Sequence, residues 1–103
     1  MQDQQTAKVF LQRLQATMPV VDLLVYGSRA RGDATDESDL DLFIIVETIT
    51  PQLRRKISEI AWEVGFERDR IISTFVATTA QMQKSSFQSS PILLNIEHDG
   101  IRP

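Results

Sequence analysis

Residues 39–46, which read Asp-Leu-Asp-Leu-Phe-Ile-Ile-Val, constrain the fold more than any other part of the sequence. The last four of these residues are apolar, as in a strand inside a sheet, while the first four alternate acid and leucine. Neighbouring residues of a strand point to opposite faces, so Asp39 and Asp41 should share one face while Leu40 and Leu42 enter the core. The two carboxylates would lie ~7 Å apart along the strand and would repel each other unless a cation lay between them.

Two further strands are predicted from apolar, β-branched runs at residues 20–26 and 71–77. A periodic stripe of apolar residues predicts a helix over residues 51–65, between the strand at 39–46 and the strand at 71–77. This spacing is typical of a strand-helix-strand crossover, which joins parallel strands of one sheet.

Turn and cap residues predict where the two long helices begin and end. For the helix at residues 3–17, Asp3 is expected to be the N-cap. The helix at 51–65 should begin after Thr50 as N-cap and end at Gly65, because glycine readily adopts the left-handed conformation that closes a helix.

The predicted order of elements is α-β-β-α-β-α-α, in which short helices at residues 79–84 and 90–98 come last. The chain has 103 residues, 42% of them hydrophobic, so we expect residues 1–103 to form a single domain. The predicted fold class is α+β, a small mixed β-sheet with helices packed mainly on one face. The other face is expected to be partly free for a ligand.

Composition excludes several kinds of site. The sequence has no cysteine, which excludes disulfides, thiolate metal ligands and a cysteine nucleophile. The net charge of −3 and the pI near 5.0 argue against direct nucleic acid binding through bulk charge. No apolar run approaches the ~20 residues of a membrane span, so we expect a cytoplasmic protein without a membrane partner.

Gly27 and Ser28 stand directly after the predicted strand at 20–26. Glycine has no Cβ, so a phosphate can approach the backbone there, and Ser28 adds a hydroxyl and an N–H group. Arg29 and Arg31 follow with guanidinium groups that could reach phosphate oxygens. The pattern predicts phosphate binding by these four residues.

Asp39 and Asp41 are the predicted metal ligands and catalytic residues. Carboxylate oxygens suit Mg²⁺ or Mn²⁺, and such a pair could bridge two metal ions ~3.5–4 Å apart. A phosphate-binding turn next to paired acids is a working layout for phosphoryl or nucleotidyl transfer, in which positioning and charge neutralisation do most of the work.

Three short segments carry a resemblance to a known family. They are Gly27-Ser28, Ala30-Arg31-Gly32 and Ser38-Asp39-Leu40-Asp41-Leu42. Together they resemble the signature of the minimal nucleotidyltransferases of the DNA polymerase beta superfamily. The resemblance implies the nucleotidyltransferase fold of that superfamily. It also implies that Gly27 and Ser28 bind a triphosphate, which we expect to be ATP, and that Asp39 and Asp41 bind magnesium. It further implies transfer of a nucleoside monophosphate to a hydroxyl. Many minimal members resemble antitoxins of bacterial toxin–antitoxin modules, whose partner is a helical HEPN-type toxin that some of them adenylylate.

One departure from the superfamily leaves two functions open. The superfamily usually supplies a third carboxylate from a later strand, but at residues 71–77 Ser73 or Thr74 stands where it is expected. Glu67 and Asp69 lie just upstream; either reaches the site, or both are solvated loop charges. The intact Gly27-Ser28 and Asp39-Leu40-Asp41 favour an active transferase. The missing third carboxylate favours a catalytically weak nucleotide-binding module that acts by binding its partner.

Trp62 is predicted to point away from the sheet, because it lies about half a turn from the apolar stripe of the helix at 51–65. Its expected neighbours are Arg55, Ser58 and Glu59. Exposed tryptophans are enriched at interfaces, which favours a partner surface or a homo-oligomer through the Trp62 face. The alternative is that Phe66 or the C-terminal segment covers the indole.

Overall fold

The computed structural model describes residues 2–35 and 37–103, which form three strands and six helices. The strands are β1 (Asp22–Tyr26), β2 (Leu40–Val46) and β3 (Ile72–Thr78). The longer helices are α1 (Gln2–Gln15), α3 (Pro51–Arg68) and α6 (Pro91–Asp99). The single-turn helices are α2 (Ser28–Arg31), α4 (Thr79–Met82) and α5 (Ser85–Gln88).

The three strands form one mixed sheet in the order β1-β2-β3. β1 pairs with β2 in the antiparallel sense, from Asp22 opposite Ile45 to Tyr26 opposite Asp41. β2 and β3 are parallel and are joined by α3, which confirms the predicted strand-helix-strand crossover. Because β1 and β2 are antiparallel, the C-terminal end of β1 lies beside the N-terminal end of β2.

Each face of the sheet has its own apolar cluster. Alternate residues of β2, Leu40, Leu42 and Ile44 among them, are fully buried beneath α1 and α3, as the sequence predicts. On the opposite face, Phe43 packs with Ala77 and with residues of α6. The longer helices α1 and α3 therefore share one face, which confirms the α+β class, and α6 covers part of the other.

The start of α1 differs from the prediction. Asp3 lies within the first turn of a helix that begins at Gln2, so it is not the residue that precedes the helix. Its carboxylate accepts hydrogen bonds from Arg29 and Arg70, which approach from other parts of the chain. The Asp3 side chain, which the sequence predicts to cap the helix, instead forms ion pairs with distant arginines.

Helix α3 begins as predicted, because the Thr50 hydroxyl accepts a hydrogen bond from the Leu53 N–H at 3.1 Å. The predicted end at Gly65 is wrong: the helix continues to Arg68, and Asp69 closes it in the left-handed conformation at φ 55°. Gly65 is required for a different reason, since a Cβ there would overlap the Arg70 carbonyl oxygen.

The C-terminal part of the chain follows the prediction with shifted boundaries. The segment predicted as one helix at 79–84 forms α4 and continues, after a break, into α5. Ser90 caps α6, and Gly100 follows its last residue. Ile101 then forms two 2.8 Å backbone hydrogen bonds with Val25 of β1. Among the helices of the described residues, none is long and apolar enough to cross a membrane.

Candidate functional site

The end of β1 and the start of β2 meet at Gly27 and Asp41. Gly27 has φ 77° and ψ −158°, a conformation that is essentially restricted to glycine. A Cβ at this position would overlap the Asp41 carboxylate oxygen Oδ2. The structure therefore brings these two predicted site residues into direct contact, and it leaves no room for a side chain between them.

Ser28 begins α2, the single helical turn that Gly27 precedes. The Gly27 carbonyl accepts hydrogen bonds from the N–H groups of Ala30 and Arg31, both at 3.1 Å. The N–H groups of Ser28 and Arg29 lie at the start of α2, where, as at any helix N-terminus, the first N–H groups have no carbonyl acceptor within the helix. The backbone at Gly27-Ser28 can therefore offer N–H donors to an anion next to Asp41.

Asp39 and Asp41 occupy different positions in the chain. Asp39 is exposed and lies just before β2, not inside the strand as predicted, whereas Asp41 is a partly buried residue of β2. Burial raises the pKa of Asp41, and the charge of Asp39 raises it further. The two carboxylates are therefore close enough to repel each other, which makes their ionised pair unfavourable without a cation.

Arg31 contributes the nearby positive charge. Its guanidinium forms ion pairs with Asp33 at 3.4 Å and with Asp99 of α6 at 3.0 Å, and it lowers the pKa of Asp41. The side chain remains 45% exposed, so it can still reach a bound phosphate. Of the two predicted phosphate-binding arginines, Arg31 is the one whose guanidinium lies at the site and open to solvent.

Arg29 has a different task from the predicted one. It is buried, and its guanidinium donates to the backbone carbonyls of Ser38 at 2.9 Å and Thr35 at 3.2 Å. It also pairs with the carboxylate of Asp3 at 3.2 Å. These contacts use its donors within the protein, so the prediction that Arg29 binds phosphate is not supported. Instead it fixes the loop that leads into Asp39.

Ser73 is the residue of β3 beside Asp41. The two are partners in the parallel register, so their side chains lie on the same face of the sheet. Thr74 points to the opposite face, towards α3. Glu67 is held by two 2.6 Å hydrogen bonds from Arg13, and Asp69 caps α3. The structure thus places a serine, not a third carboxylate, next to Asp41.

The donor set fits a divalent cation that is bound together with phosphates. Asp39 and Asp41 supply hard carboxylate oxygens, and a cation would offset the burial and the Asp39 charge that raise the pKa of Asp41. Within residues 2–35 and 37–103 no group of three or more His, Cys, Asp or Glu side chains could hold a metal ion. Mg²⁺ is commonly bound by one or two carboxylates, with water and substrate phosphates as its other ligands.

A mixed three-stranded sheet with a glycine-serine turn against a strand aspartate defines this protein as a nucleotidyltransferase-type domain. The family model described as "Nucleotidyltransferase domain" matches residues 5–92, and the chain belongs to that family. The predicted superfamily is therefore confirmed. A search of curated proteins found no match.

Sequence reasoning missed the residues that hold the site in place. Asp3 and Arg70 lie at distant points of the chain and join Arg29 in one ion cluster. Asp99 pairs with Arg31 from α6. Charged residues of this kind are common on protein surfaces, and no local pattern distinguishes those that the fold brings together.

Replacement of Arg29 should destabilise the protein strongly. Arg29→Ala removes a buried guanidinium that donates to the largely buried Asp3 carboxylate and to two backbone carbonyls, while Arg70 remains paired with Asp3. We therefore expect a loss of ~3 kcal/mol in the free energy of unfolding, the lower end of the range for a broken buried ion pair. Urea denaturation at 25 °C measures this change. Arg29→Lys retains the charge but lacks the planar donor fork, so it should recover only part of the loss.

Arg31→Ala is the matched control, because solvent screens its partly exposed ion pairs and their loss should cost little stability. Equal losses for the Arg29 and Arg31 variants would contradict the assigned role of the buried guanidinium.

Asp41→Asn should raise the melting temperature of the metal-free protein at pH 7.5. The folded-state pKa of Asp41 is raised above that of the unfolded chain, so its ionisation destabilises the fold once the pH exceeds the ordinary aspartate value of ~3.9. The advantage of the variant should shrink as the pH is lowered towards 4. Calorimetry across this range, with chelator present, measures both effects.

Asp99→Asn provides the control of opposite sign. The pKa of Asp99 is lowered, first by its hydrogen bond with His98 and then by the bond from Arg31, so loss of this carboxylate should lower the melting temperature at pH 7.5. A lower melting temperature for Asp41→Asn as well would argue against the repulsion inferred at the site.

Proposed function

We propose that this protein is a Mg²⁺-dependent nucleotidyltransferase (Mn²⁺ being an alternative metal) that binds ATP and transfers the nucleoside monophosphate to a hydroxyl acceptor. The observation that carries the proposal is the contact between the Gly27 backbone and the Asp41 carboxylate. It puts an anion-binding turn and a metal-binding acid side by side, which is the arrangement that a metal-bound triphosphate requires.

Each residue of the site has a role in this proposal. The backbone at Gly27 and the N–H and hydroxyl groups of Ser28 bind the phosphates, and Arg31 pairs with their outer oxygens. Asp39 and Asp41 ligate the metal and orient the α-phosphate towards the acceptor. When bound, Mg²⁺ supplies charge neutralisation for the phosphates. The acceptor oxygen bonds to the α-phosphorus, the bond to pyrophosphate breaks, and the hydroxyl proton passes to water or to a site carboxylate.

The acceptor and the cellular setting also belong to the proposal. By resemblance to the minimal nucleotidyltransferases, the acceptor is a hydroxyl of a HEPN-type partner protein, and the pair acts as a toxin–antitoxin module in the cytoplasm. Family membership supports nucleotidyl transfer in general. The identity of the partner rests on the resemblance.

A second function is supported by Ser73. A serine beside Asp41 cannot act as the general base that a third carboxylate provides, and such a base contributes ~10²–10⁴ in rate. This favours a nucleotide-binding antitoxin-like module that controls its partner by binding, with little turnover.

Label transfer from [α-³²P]ATP to the HEPN-type partner in the presence of Mg²⁺ should separate these functions. We expect label on the partner with the unaltered protein and at least ~10²-fold less with Asp39→Asn or Asp41→Asn, because both remove metal ligands. Glu97→Gln removes an exposed carboxylate from α6 and serves as the control for charge. Complex formation without label would favour the binding module.

Thermal stabilisation by Mg-ATP tests the site independently of turnover, since a ligand that binds the folded state stabilises it. An unchanged melting temperature at millimolar Mg-ATP would contradict both functions.

Ser73→Asp should restore a third carboxylate beside Asp41. If a missing base limits transfer, this variant should increase the rate of labelling, by up to ~10²–10⁴. It should also tighten Mn²⁺ binding, which titration calorimetry can measure. Thr74→Asp places the same charge one residue later on the other face of β3 and should produce neither gain. Equal behaviour of the two variants would refute the interpretation of Ser73.

A further inference from the structure

Trp62, Phe66 and Ile71 form an exposed apolar patch on the side of the molecule opposite Asp41. Their exposed fractions are 69%, 77% and 70%, and the rings of Trp62 and Phe66 stack at 5.5 Å between centroids. Phe66 therefore supports the indole without covering it. The patch borders a groove of about 850 Å³ between α3 and β3, whose lining includes Ile72 and Thr74.

The outer edge of β3 runs along the same side of the molecule. β3 pairs with β2 alone in the sheet that the described residues form, so its other edge has no strand partner there. Ile72–Thr78 reads ISTFVAT and contains no charged residue or proline. Natural edge strands usually carry such residues to prevent pairing with another strand, so this edge is open to association.

Two opposite charges flank the patch at equal spacing. Arg55 lies seven residues before Trp62 within α3, ~10 Å along the helix, and Asp69, which closes α3, lies seven residues after Trp62. Both residues are exposed. Within the described parts of the chain, neither the Arg55 guanidinium nor the Asp69 carboxylate has a hydrogen-bond or ion-pair partner. In one copy the two are too far apart to pair with each other.

We propose that this surface binds a second copy of the chain, with the two α3 helices antiparallel about a two-fold axis at Trp62. An antiparallel pairing centred there sets Arg55 opposite Asp69 of the partner subunit and Ser58 opposite Phe66 of the partner subunit. Each pair occurs twice, as in any isologous interface. The two charge pairs therefore form together with the two contacts between the small Ser58 side chain and the large ring of Phe66 of the partner subunit. The uncharged edges of β3 then approach each other beneath the helices.

Self-association explains the charges better than an unrelated partner does. In a symmetric dimer, the acid opposite Arg55 and the base opposite Asp69 occur at the same spacing as a consequence of the symmetry. An unrelated partner would have to supply both charges at that spacing independently. The proposal is independent of nucleotidyl transfer, because Asp41 faces the other side of the sheet, where α6 packs. A dimer of this kind leaves Gly27 and Asp41 accessible in both subunits.

Complementary charge reversal tests the pairing. In Arg55→Asp alone, two acids face each other at both ends of the interface, and in Asp69→Arg alone two bases do. We expect each variant to dissociate at least ~10-fold more readily than the unaltered dimer in sedimentation equilibrium, because like charges replace opposite ones. An equimolar mixture of the two variants should associate again, since the mixed dimer has an acid–base pair at both ends.

Trp62→Ala should abolish dimerisation while the variant retains the helical circular dichroism of the folded protein. Lys56→Asp, a charge reversal next to Arg55 on the helix, is the matched control and should leave the dimer intact. A monomeric unaltered protein at millimolar concentration would overturn the proposal. So would a mixture of the two reversal variants that fails to associate, or association that neither reversal weakens. None of these outcomes would bear on Mg-ATP binding.

Discussion

The antiparallel pairing of β1 with β2 is the interaction on which the candidate site depends. Its register sets Tyr26 opposite Asp41, so the chain leaves β1 at Gly27 directly beside that carboxylate. A slip of one residue would turn Asp41 into the layer of Leu40 and Leu42 beneath α1 and α3. Since burial of an unpaired carboxylate costs several kcal/mol, the apolar alternation of β2 fixes the register and the site together.

A buried guanidinium gives the second half of the site its shape. The described residues of the loop that leads to Asp39 form no helix or strand, and Arg29 donates to the carbonyls of Thr35 and Ser38 in that loop. Arg29 in turn is paired with Asp3 from the first turn of α1, which also binds Arg70 after α3. The position of Asp39 therefore depends on the start of α1 and on the segment that follows α3, which explains why a short motif cannot form the site alone.

Local chemistry made much of the fold predictable. The three strands follow from apolar runs, and Thr50 and Ser90 start their helices as caps because a side-chain oxygen accepts an N–H group of the first turn. Predictions failed where tertiary contacts overrode the local preference. Gly65 lies inside α3 because the Arg70 carbonyl approaches it, and Asp3 serves a distant guanidinium instead of a cap. Arg29 is buried among carbonyls and Asp3, and burial of this kind is not visible in a run of polar residues.

In the proposed function, the charges at the site require nucleotide and metal to bind together. A triphosphate alone would meet the carboxylates of Asp39 and Asp41, and burial together with the Asp39 charge already raises the pKa of Asp41. Arg31 offers only partial compensation, because Asp33 and Asp99 share its charge. A metal ion alone would find two carboxylates, since the described residues hold no group of three or more His, Cys, Asp or Glu side chains that could bind it. Each ligand therefore supplies what the other lacks, so each should raise the affinity for the other by the same factor. In such a site, Ser73 in place of a third carboxylate would weaken metal binding less than it weakens removal of the acceptor proton. Triphosphate oxygens can take the place of a missing metal ligand, but they cannot take the place of a missing base.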